Sequence, residues 1–179
     1  LNLFELFEKE RRYVVPLFQR PYVWDQEKQW QPLWEDIVAK ADEILSQDDI
    51  IADSGNHFLG AAVLSQIKTF GKQVSAVEII DGQQRLTTLQ IILIVLRDLS
   101  KSIDYDGLDN ILNRLTRNDC RREQELELYK VWPTNSDRHV FEQVFNAGSR
   151  EIIQKTHPLV RKPRSSKYLP RPRMVEAYL

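Results

Sequence analysis

The feature that most constrains the fold is an abrupt change from a strand pattern to a helix pattern near the middle of the chain. Residues 74–80 are rich in β-branched and apolar side chains, and residues 86–99 form a stretch that would be apolar nearly all round as a helix. A polar junction at residues 81–85 separates them, where Gly82 permits a tight turn. Because a helix that is apolar on every face has to be buried, we predict that this one lies at the centre of the domain.

Periodicity and turn signals place the other elements around this central unit. Turn residues at 70–72 precede the strand at 74–80, so we expect that strand to form a hairpin with an earlier strand or to lie adjacent to it. In chain order, the further predicted elements are a short helix capped by Asn2 and reaching Phe7, a strand at 12–15, a long amphipathic helix capped by Asp25, strands at 57–67 and 126–131, and a helix at 135–145. Together they predict an α+β fold with a small mixed sheet wrapped by helices.

The composition excludes several classes of protein. Lys and Arg total 25 against 26 Asp and Glu, so the net charge of −1 gives no global attraction to nucleic acid or to an anionic membrane. The single cysteine, Cys120, excludes an internal disulfide and a cysteine-rich zinc site, and the three histidines are too widely spaced for a metal cluster. The longest apolar run is too short to span a bilayer and no signal peptide is visible, so we expect a cytoplasmic protein.

Charge is unevenly distributed along the chain. Residues 25–53 contain nine acidic residues and two lysines, whereas residues 155–179 contain seven Lys or Arg, one Glu and four prolines. We therefore predict a folded domain at residues 1–154 and a basic, proline-rich linker at residues 155–179. Since the chain begins without Met and ends in an apparent helix start, we expect the linker to lead into a further C-terminal region.

The junction at residues 81–85 is the strongest candidate for chemistry. Unpaired backbone N–H groups and a partial positive charge at the start of a helix favour an anion. Arg85 adds a planar five-donor group suited to phosphate oxygens, and the amides of Gln83 and Gln84 can donate or accept hydrogen bonds. Asp81 can hold a metal ion or position a water. The structural alternative stays open, with Asp81 as a simple helix cap and Arg85 paired with a surface acid.

A second polar pair stands within an apolar and aromatic stretch at residues 15–24. Gln19 and Arg20 are flanked by prolines that stiffen the backbone around them. A rigid segment suits an arginine that has to point in one direction. The alternative is a loop that packs Tyr22 and Trp24 on the core while Arg20 reaches solvent.

Taken together, the two stretches resemble one family closely. Three motifs occur in order with suitable spacing: Phe-Gln-Arg-Pro-Tyr-Val-Trp at 18–24, His-Phe-Leu-Gly at 57–60 and Asp-Gly-Gln-Gln-Arg-Leu-Thr-Thr-Leu at 81–89. Residues 130–138 and 176–178 fit as well, so the resemblance covers nearly the whole chain. The pattern is similar to the N-terminal domain of GmrS-type modification-dependent restriction enzymes, which also occurs in SspE-type phage-defence proteins.

This resemblance implies a ParB/sulfiredoxin-like fold that binds and hydrolyses nucleoside triphosphates with Mg²⁺. In the family, hydrolysis regulates attack on modified foreign DNA by an HNH nuclease in a further domain or subunit. Carried onto this sequence, the resemblance implies a nucleotide site that contains Gln19, Arg20, Asp81, Gly82, Gln83, Gln84, Arg85, Thr87 and Thr88.

Roles within the implied site follow from what phosphoryl transfer needs, which is mainly charge neutralisation and positioning. Arg20 and Arg85 are the candidates for clamping phosphates, and we expect their guanidinium groups to converge on one polyphosphate. Gln83 or Gln84 is the candidate for orienting the attacking water. Asp81 is the candidate Mg²⁺ ligand, because a hard divalent ion prefers oxygen.

Absences in the sequence limit the chemistry further. The chain has no Gly-rich loop of the ordinary P-loop enzymes and no cysteine at the junction to serve as a sulfiredoxin-like nucleophile. An HNH-like pair of histidines is also absent, and His57 is expected to be structural, so we expect nuclease chemistry outside this sequence. The expected partners are a nucleotide, modified foreign DNA and the nuclease, with no membrane; a homodimer is compatible with the sequence.

The main alternative is a DNA-binding or modification-sensing module without its own hydrolysis, in which the basic C-terminal segment contacts backbone phosphates. The candidate DNA-binding residues of that segment are Arg161, Lys162, Arg164, Lys167, Arg171 and Arg173. A third interpretation is a scaffold that holds a partner nuclease and binds no nucleotide.

Overall fold

The computed structural model describes residues 2–46, 58–71, 73–103, 107–119 and 126–179. His57 and Cys120, which the sequence singled out, lie outside the described residues. In chain order the described elements are α1 (Leu3–Glu8), β1 (Arg11–Val14), a π-helical turn (Gln26–Trp30), α2 (Gln31–Ser46), β2 (Val63–Ile67), β3 (Ser75–Asp81), α3 (Gln83–Ser100), α4 (Leu108–Thr116), β4 (Val131–Trp132), α5 (Asn135–Phe145), α6 (Arg150–Thr156) and α7 (Arg173–Tyr178).

Four strands of the described chain form one mixed sheet, in the order β2-β3-β1-β4. β1 pairs in parallel with β3 and β4, so that Tyr13 lies opposite both Val77 and Val131. β2 pairs antiparallel with β3 as the predicted hairpin. The α+β class with a small mixed sheet and surrounding helices is therefore confirmed.

The central position predicted for the apolar helix is also confirmed. Leu86, Leu89 and Leu93 of α3 pack into one apolar cluster with the sheet, α1 and α4. Ile91 and Ile94, on another face of α3, pack into a second cluster with α5 and α7. Burying apolar area on both faces of one helix ties the two clusters into a single domain.

Several helix boundaries agree with the sequence pattern. Asn2 and Glu5 form a reciprocal capping box at the start of α1, and α5 spans the predicted residues 135–145. Asp25 accepts a hydrogen bond from the Lys28 backbone N–H, as a cap should, but the helix it begins is a π-helical turn that passes into α2 at Gln31. α3 begins at Gln83, three residues before the predicted start.

Two strand predictions need correction. The strand predicted at 57–67 begins only at Val63, because Gly60 has a φ of +97° that breaks the extended backbone. The strand predicted at 126–131 is wrong for most of its length: residues 126–128 form a 3₁₀ turn, and only Val131 and Trp132 join the sheet. Tyr129 instead stacks its ring near Trp132, with the ring centroids 4.7 Å apart, so aromatic packing outweighs a continuous strand here.

The C-terminal segment, predicted as a linker from residue 155, contains ordered structure. A tight turn between Lys162 and Ser165 brings Arg161 opposite Tyr168 in an isolated bridge. Farther on, Met174, Val175 and Tyr178 of α7 are buried in the cluster shared with α3 and α5. The end of this segment thus packs on the domain, while a division at residue 154 stays a prediction.

Candidate functional site

The junction between β3 and α3 requires glycine for two reasons. Gly82 is the N-cap of α3 with a φ of +93°, a left-handed conformation that other residues rarely adopt. A Cβ at this position would also lie only 3.2 Å from the Cα of Ala62. Beside it, the pairing of β2 with β3 shifts register between Val63 and Leu64, which is typical of a bulge next to a functional site.

The two glutamines that open α3 hold the loop at residues 19–24. Gln83 donates through Nε2 to Oε1 of Gln19 at 3.3 Å and to the backbone carbonyl of Arg20 at 3.2 Å. Gln84 donates through Nε2 to the Pro21 carbonyl at 3.0 Å, and its Oε1 accepts the Val23 backbone N–H at 2.9 Å. The structure therefore brings the two sequence motifs into direct contact, through buried amides that bond to the backbone.

Tyr22 fixes the same loop to the body of the domain. Its backbone N–H donates to Oδ2 of Asp137 at 2.8 Å, and its hydroxyl lies 2.6 Å from Oγ1 of Thr88. Trp30 donates its indole N–H to the Tyr22 hydroxyl oxygen at 2.9 Å, and Thr88 donates its hydroxyl proton to the Gln84 carbonyl. Since the single Thr88 proton is already used, Tyr22 is the donor to Thr88. Burial raises the pKa of Tyr22 to about 12, so this donor keeps its proton at neutral pH.

The Arg85 side chain contacts a different segment of the chain from those of Gln84 and Thr88, which bond to the loop at residues 19–24. Its Nη1 donates to the Ala61 carbonyl at 2.6 Å, and its guanidinium lies directly over Gly60, where an added Cβ would be 2.5 Å from Cζ. No described carboxylate forms an ion pair with it, which leaves the cation available to an anion. Among the described residues, the alternative in which Arg85 pairs with a surface acid is therefore not observed.

The Arg85 side chain lines a cleft of about 800 Å³. Most of the lining is apolar, with Gly60, Gly82 and Asn2 as small or polar exceptions. Apolar walls with a few converging polar groups are typical of a small-molecule site.

The remaining predicted site residues are distributed around this junction. Asp81 is the exposed last residue of β3, so it does not cap α3. Arg20 is exposed while Tyr22 is buried, as the loop-packing alternative predicted. Thr87 and Thr88 are both buried, and Thr88 lines a second cleft rather than the one lined by Arg85. Convergence of the Arg20 and Arg85 guanidinium groups on one polyphosphate stays a prediction.

The candidate DNA-binding residues fall into two groups. Arg161, Lys162, Arg164 and Lys167 are exposed on the turn before α7. Arg171 and Arg173 line the second cleft instead, where Arg171 donates to the His157 carbonyl at 2.6 Å and Arg173 pairs with Glu176 at 3.1 Å.

Asp137 is a positioning residue that sequence reasoning missed. Besides the Tyr22 N–H, its Oδ2 accepts the hydroxyl proton of Thr134 at 2.9 Å. Asp137 and Thr134 belong to the stretch at 130–138 that resembles the family. Nothing in the local sequence pattern, however, predicts a contact between Asp137 and a loop more than a hundred residues earlier. Only the fold brings the start of α5 against residue 22.

A metal site made by the protein alone is not found within the described ranges, which contain no group of three His, Cys, Asp or Glu side chains placed to hold an ion. A Mg²⁺ ion that arrives with a nucleotide has a smaller requirement, because the phosphates supply ligands and one or two carboxylates complete the site. The exposed carboxylate of Asp81, next to the start of α3, fits that requirement.

Comparison with known proteins agrees with the motifs. The family model described as GmrSD restriction endonuclease, N-terminal domain, matches residues 3–176. A search of curated proteins finds no match to this chain. In the part of the chain that the structure describes, no helix has both the length and the apolar character needed to cross a bilayer.

Proposed function

Since this chain belongs to the family of N-terminal domains of GmrSD restriction endonucleases, we propose that it binds and hydrolyses a nucleoside triphosphate and thereby regulates a DNA nuclease. The observation that carries the proposal is the contact between the two motifs. Gln83 and Gln84, at the start of α3, bond to the backbone of the loop that presents Arg20. A nucleotide at this junction would meet the N-terminus of a long helix, an Arg85 that has no ion pair with a described carboxylate, and an exposed Asp81.

The roles of the two glutamines differ in this proposal. Gln84 uses both ends of its amide on the loop, so it positions the loop and does not touch the substrate. Gln83 uses its amide nitrogen on the loop and has no described partner for its carbonyl oxygen, which can accept a hydrogen bond from the attacking water. We therefore assign the orientation of water to Gln83.

In the proposed reaction, the water oxygen bonds to the terminal phosphorus as the bond to the leaving phosphate oxygen breaks, and the water proton passes to solvent. Negative charge accumulates on the phosphate oxygens, and Arg85 and Arg20 stabilise it. Asp81 would hold Mg²⁺, which when bound neutralises phosphate charge. The left-handed Gly82 lets the helix start approach the phosphates without an intervening side chain.

Phosphate release in the presence of Mg²⁺ tests this proposal. We expect Arg85→Ala to lose about a hundredfold or more of the turnover, because an arginine that stabilises transition-state charge contributes at least that much. Arg114→Ala is the matched control, since Arg114 is exposed on α4 and lines neither cleft. Equal turnover in Arg85→Ala and the control would exclude Arg85 from the reaction.

A DNA-binding role is the second candidate function, favoured by the exposed basic turn before α7. Four cationic side chains lie within residues 161–167 and face solvent. If they contact DNA phosphates, neutralising them should weaken DNA binding and reduce its dependence on salt. DNA affinity that is unchanged in the neutralised variant would leave this turn without that role. Both functions are compatible with a restriction protein in which an HNH nuclease lies in another domain or subunit.

A further inference from the structure

A second cleft, of about 910 Å³, lies away from Arg85. Trp30 and Trp34 contribute to it from the π-helical turn and the start of α2. Arg150, Arg171 and Arg173 contribute from α6 and the region of α7. The cleft thus combines one exposed indole ring, of Trp34, and one half-buried ring, of Trp30, with guanidinium groups from the other end of the chain.

Three carboxylates, on Asp25, Glu27 and Glu176, also line this cleft, together with the ammonium group of Lys28. The carboxylate of Asp25 caps the π-helical turn, and that of Glu176 pairs with Arg173. Arg150 makes no side-chain hydrogen bond or ion pair with the described residues, and Arg171 bonds only to a neutral carbonyl. Arg150 and Arg171 therefore line the cleft without an ion pair to a described carboxylate, which leaves both guanidinium groups available to a phosphate.

The tryptophans supply a different kind of contact. Trp34 is 51% exposed, an unusual state for so large an apolar ring. Trp30 is held in place because its indole N–H bonds to Tyr22. A planar base that stacks on an indole ring gains favourable contact area. The loss of side-chain entropy is small, because a tryptophan has few rotamers and the Trp30 ring is already held in place.

We propose that this cleft binds a nucleotide unit, with its base against Trp34 and its phosphate at Arg150 and Arg171. The ligand chemistry is a planar base joined to a phosphate, supplied either by a free nucleotide or by one residue of a single strand. The site is separate from the junction at Arg85, which lines the other cleft, and it does not depend on the function proposed there.

Calorimetric titration of the full chain with adenosine 5′-monophosphate tests the proposal. We expect it to bind, to quench tryptophan fluorescence, and to bind more tightly than adenosine or inorganic phosphate alone. Trp34→Ala should weaken binding by about tenfold, because base stacking contributes on that order. Arg150→Gln should weaken it several-fold, whereas Arg114→Gln, on the exposed surface of α4, should leave it unchanged. All three altered side chains are exposed, so the fold should survive each substitution.

Further titrations distinguish a free nucleotide from a single strand as the ligand, and binding in this cleft from binding in the cleft lined by Arg85. Tighter binding of a single-stranded oligodeoxyadenylate than of the mononucleotide would identify a strand as the source, and equal binding would identify a free nucleotide. Arg85→Ala should still bind the monophosphate here even if it no longer hydrolyses a triphosphate. The proposal is overturned if neither probe binds, if inorganic phosphate or adenosine binds as tightly, or if Trp34→Ala and Arg150→Gln bind as the unaltered chain does.

Discussion

Replacing Gly60 with alanine would displace Arg85 without altering Arg85 itself. The new Cβ would lie 2.5 Å from Cζ of Arg85 and 2.8 Å from both terminal nitrogens. Ordinary carbon contacts are about 3.5 Å, so the guanidinium has to move by about 1 Å. That movement removes the 2.6 Å hydrogen bond from Arg85 to the Ala61 carbonyl.

The cost to stability comes from two sources. An alanine with a φ of +97° is strained by about 1–3 kcal/mol, and loss of the hydrogen bond from a half-buried arginine costs about 1 kcal/mol. Gly71→Ala is the matched control: Gly71 also has a positive φ, of +64°, but an added Cβ there meets nothing within 4 Å. The control therefore carries strain from a positive φ without a steric clash, and we expect that strain to be about 1 kcal/mol.

Urea unfolding and phosphate release should be measured on both variants. Because a catalytic group misplaced by about 1 Å can cost about a hundredfold in rate, Gly60→Ala should lose about that much turnover while remaining folded. Gly71→Ala should retain the rate of the unaltered chain. Full turnover in folded Gly60→Ala would show that the position of Arg85 over Gly60 does not matter for the reaction.

Three further predictions concern buried polar groups. Gln84→Met removes both hydrogen bonds to the loop and should lower the free energy of unfolding by about 2 kcal/mol. The control Gln154→Met, at an exposed position on α6, should change that free energy by less than about 0.5 kcal/mol. Equal effects of the two substitutions would contradict the role of Gln84 in holding the loop. The pKa of Tyr22 rises from 10.0 to about 12 on folding, so its contribution to stability is complete below pH 10.0 and is lost as pH rises toward 12. Unfolding free energies measured across that window should fall more steeply for the unaltered chain than for Tyr22→Phe, by at most about 1.4 kcal/mol per pH unit; parallel curves would contradict this. Lys130 is fully buried and donates to the Lys9 carbonyl, and burial lowers its pKa. In urea unfolding, Lys130→Ala should be about 2–3 kcal/mol less stable than Lys130→Met, because only alanine leaves a cavity. Equal losses of stability in the two variants would show that packing of the Lys130 stem contributes little.

Elements with a strong local pattern could be predicted from the sequence. The bounds of α5 and the central position of α3 follow from apolar spacing, and the hairpin of β2 and β3 follows from two strand patterns around a turn. Elements decided by tertiary contacts could not. The local sequence pattern predicts that Tyr129 belongs to a strand, but in the structure its ring packs against Trp132 and Phe145.

The site shows the same division. The sequence predicts site residues in the junction and in the loop at 19–24, because their chemistry is visible in residue type and order. Their contacts were not, since Gln84 bonding to Pro21 and Val23, and Asp137 bonding to Tyr22, depend on packing between distant segments. The amphipathic pattern of α2 likewise predicted the helix but not its surroundings, since none of its residues is buried in the described structure.

Calorimetric titration with the four nucleoside triphosphates, with and without Mg²⁺, measures whether the β3–α3 junction is a nucleotide site. We expect that at least one triphosphate binds, that Mg²⁺ strengthens the binding, and that Arg85→Ala weakens it while Arg114→Ala does not. Binding that is identical in both variants, or no binding of any triphosphate to the folded chain, would contradict the assignment of the β3–α3 junction as a nucleotide site.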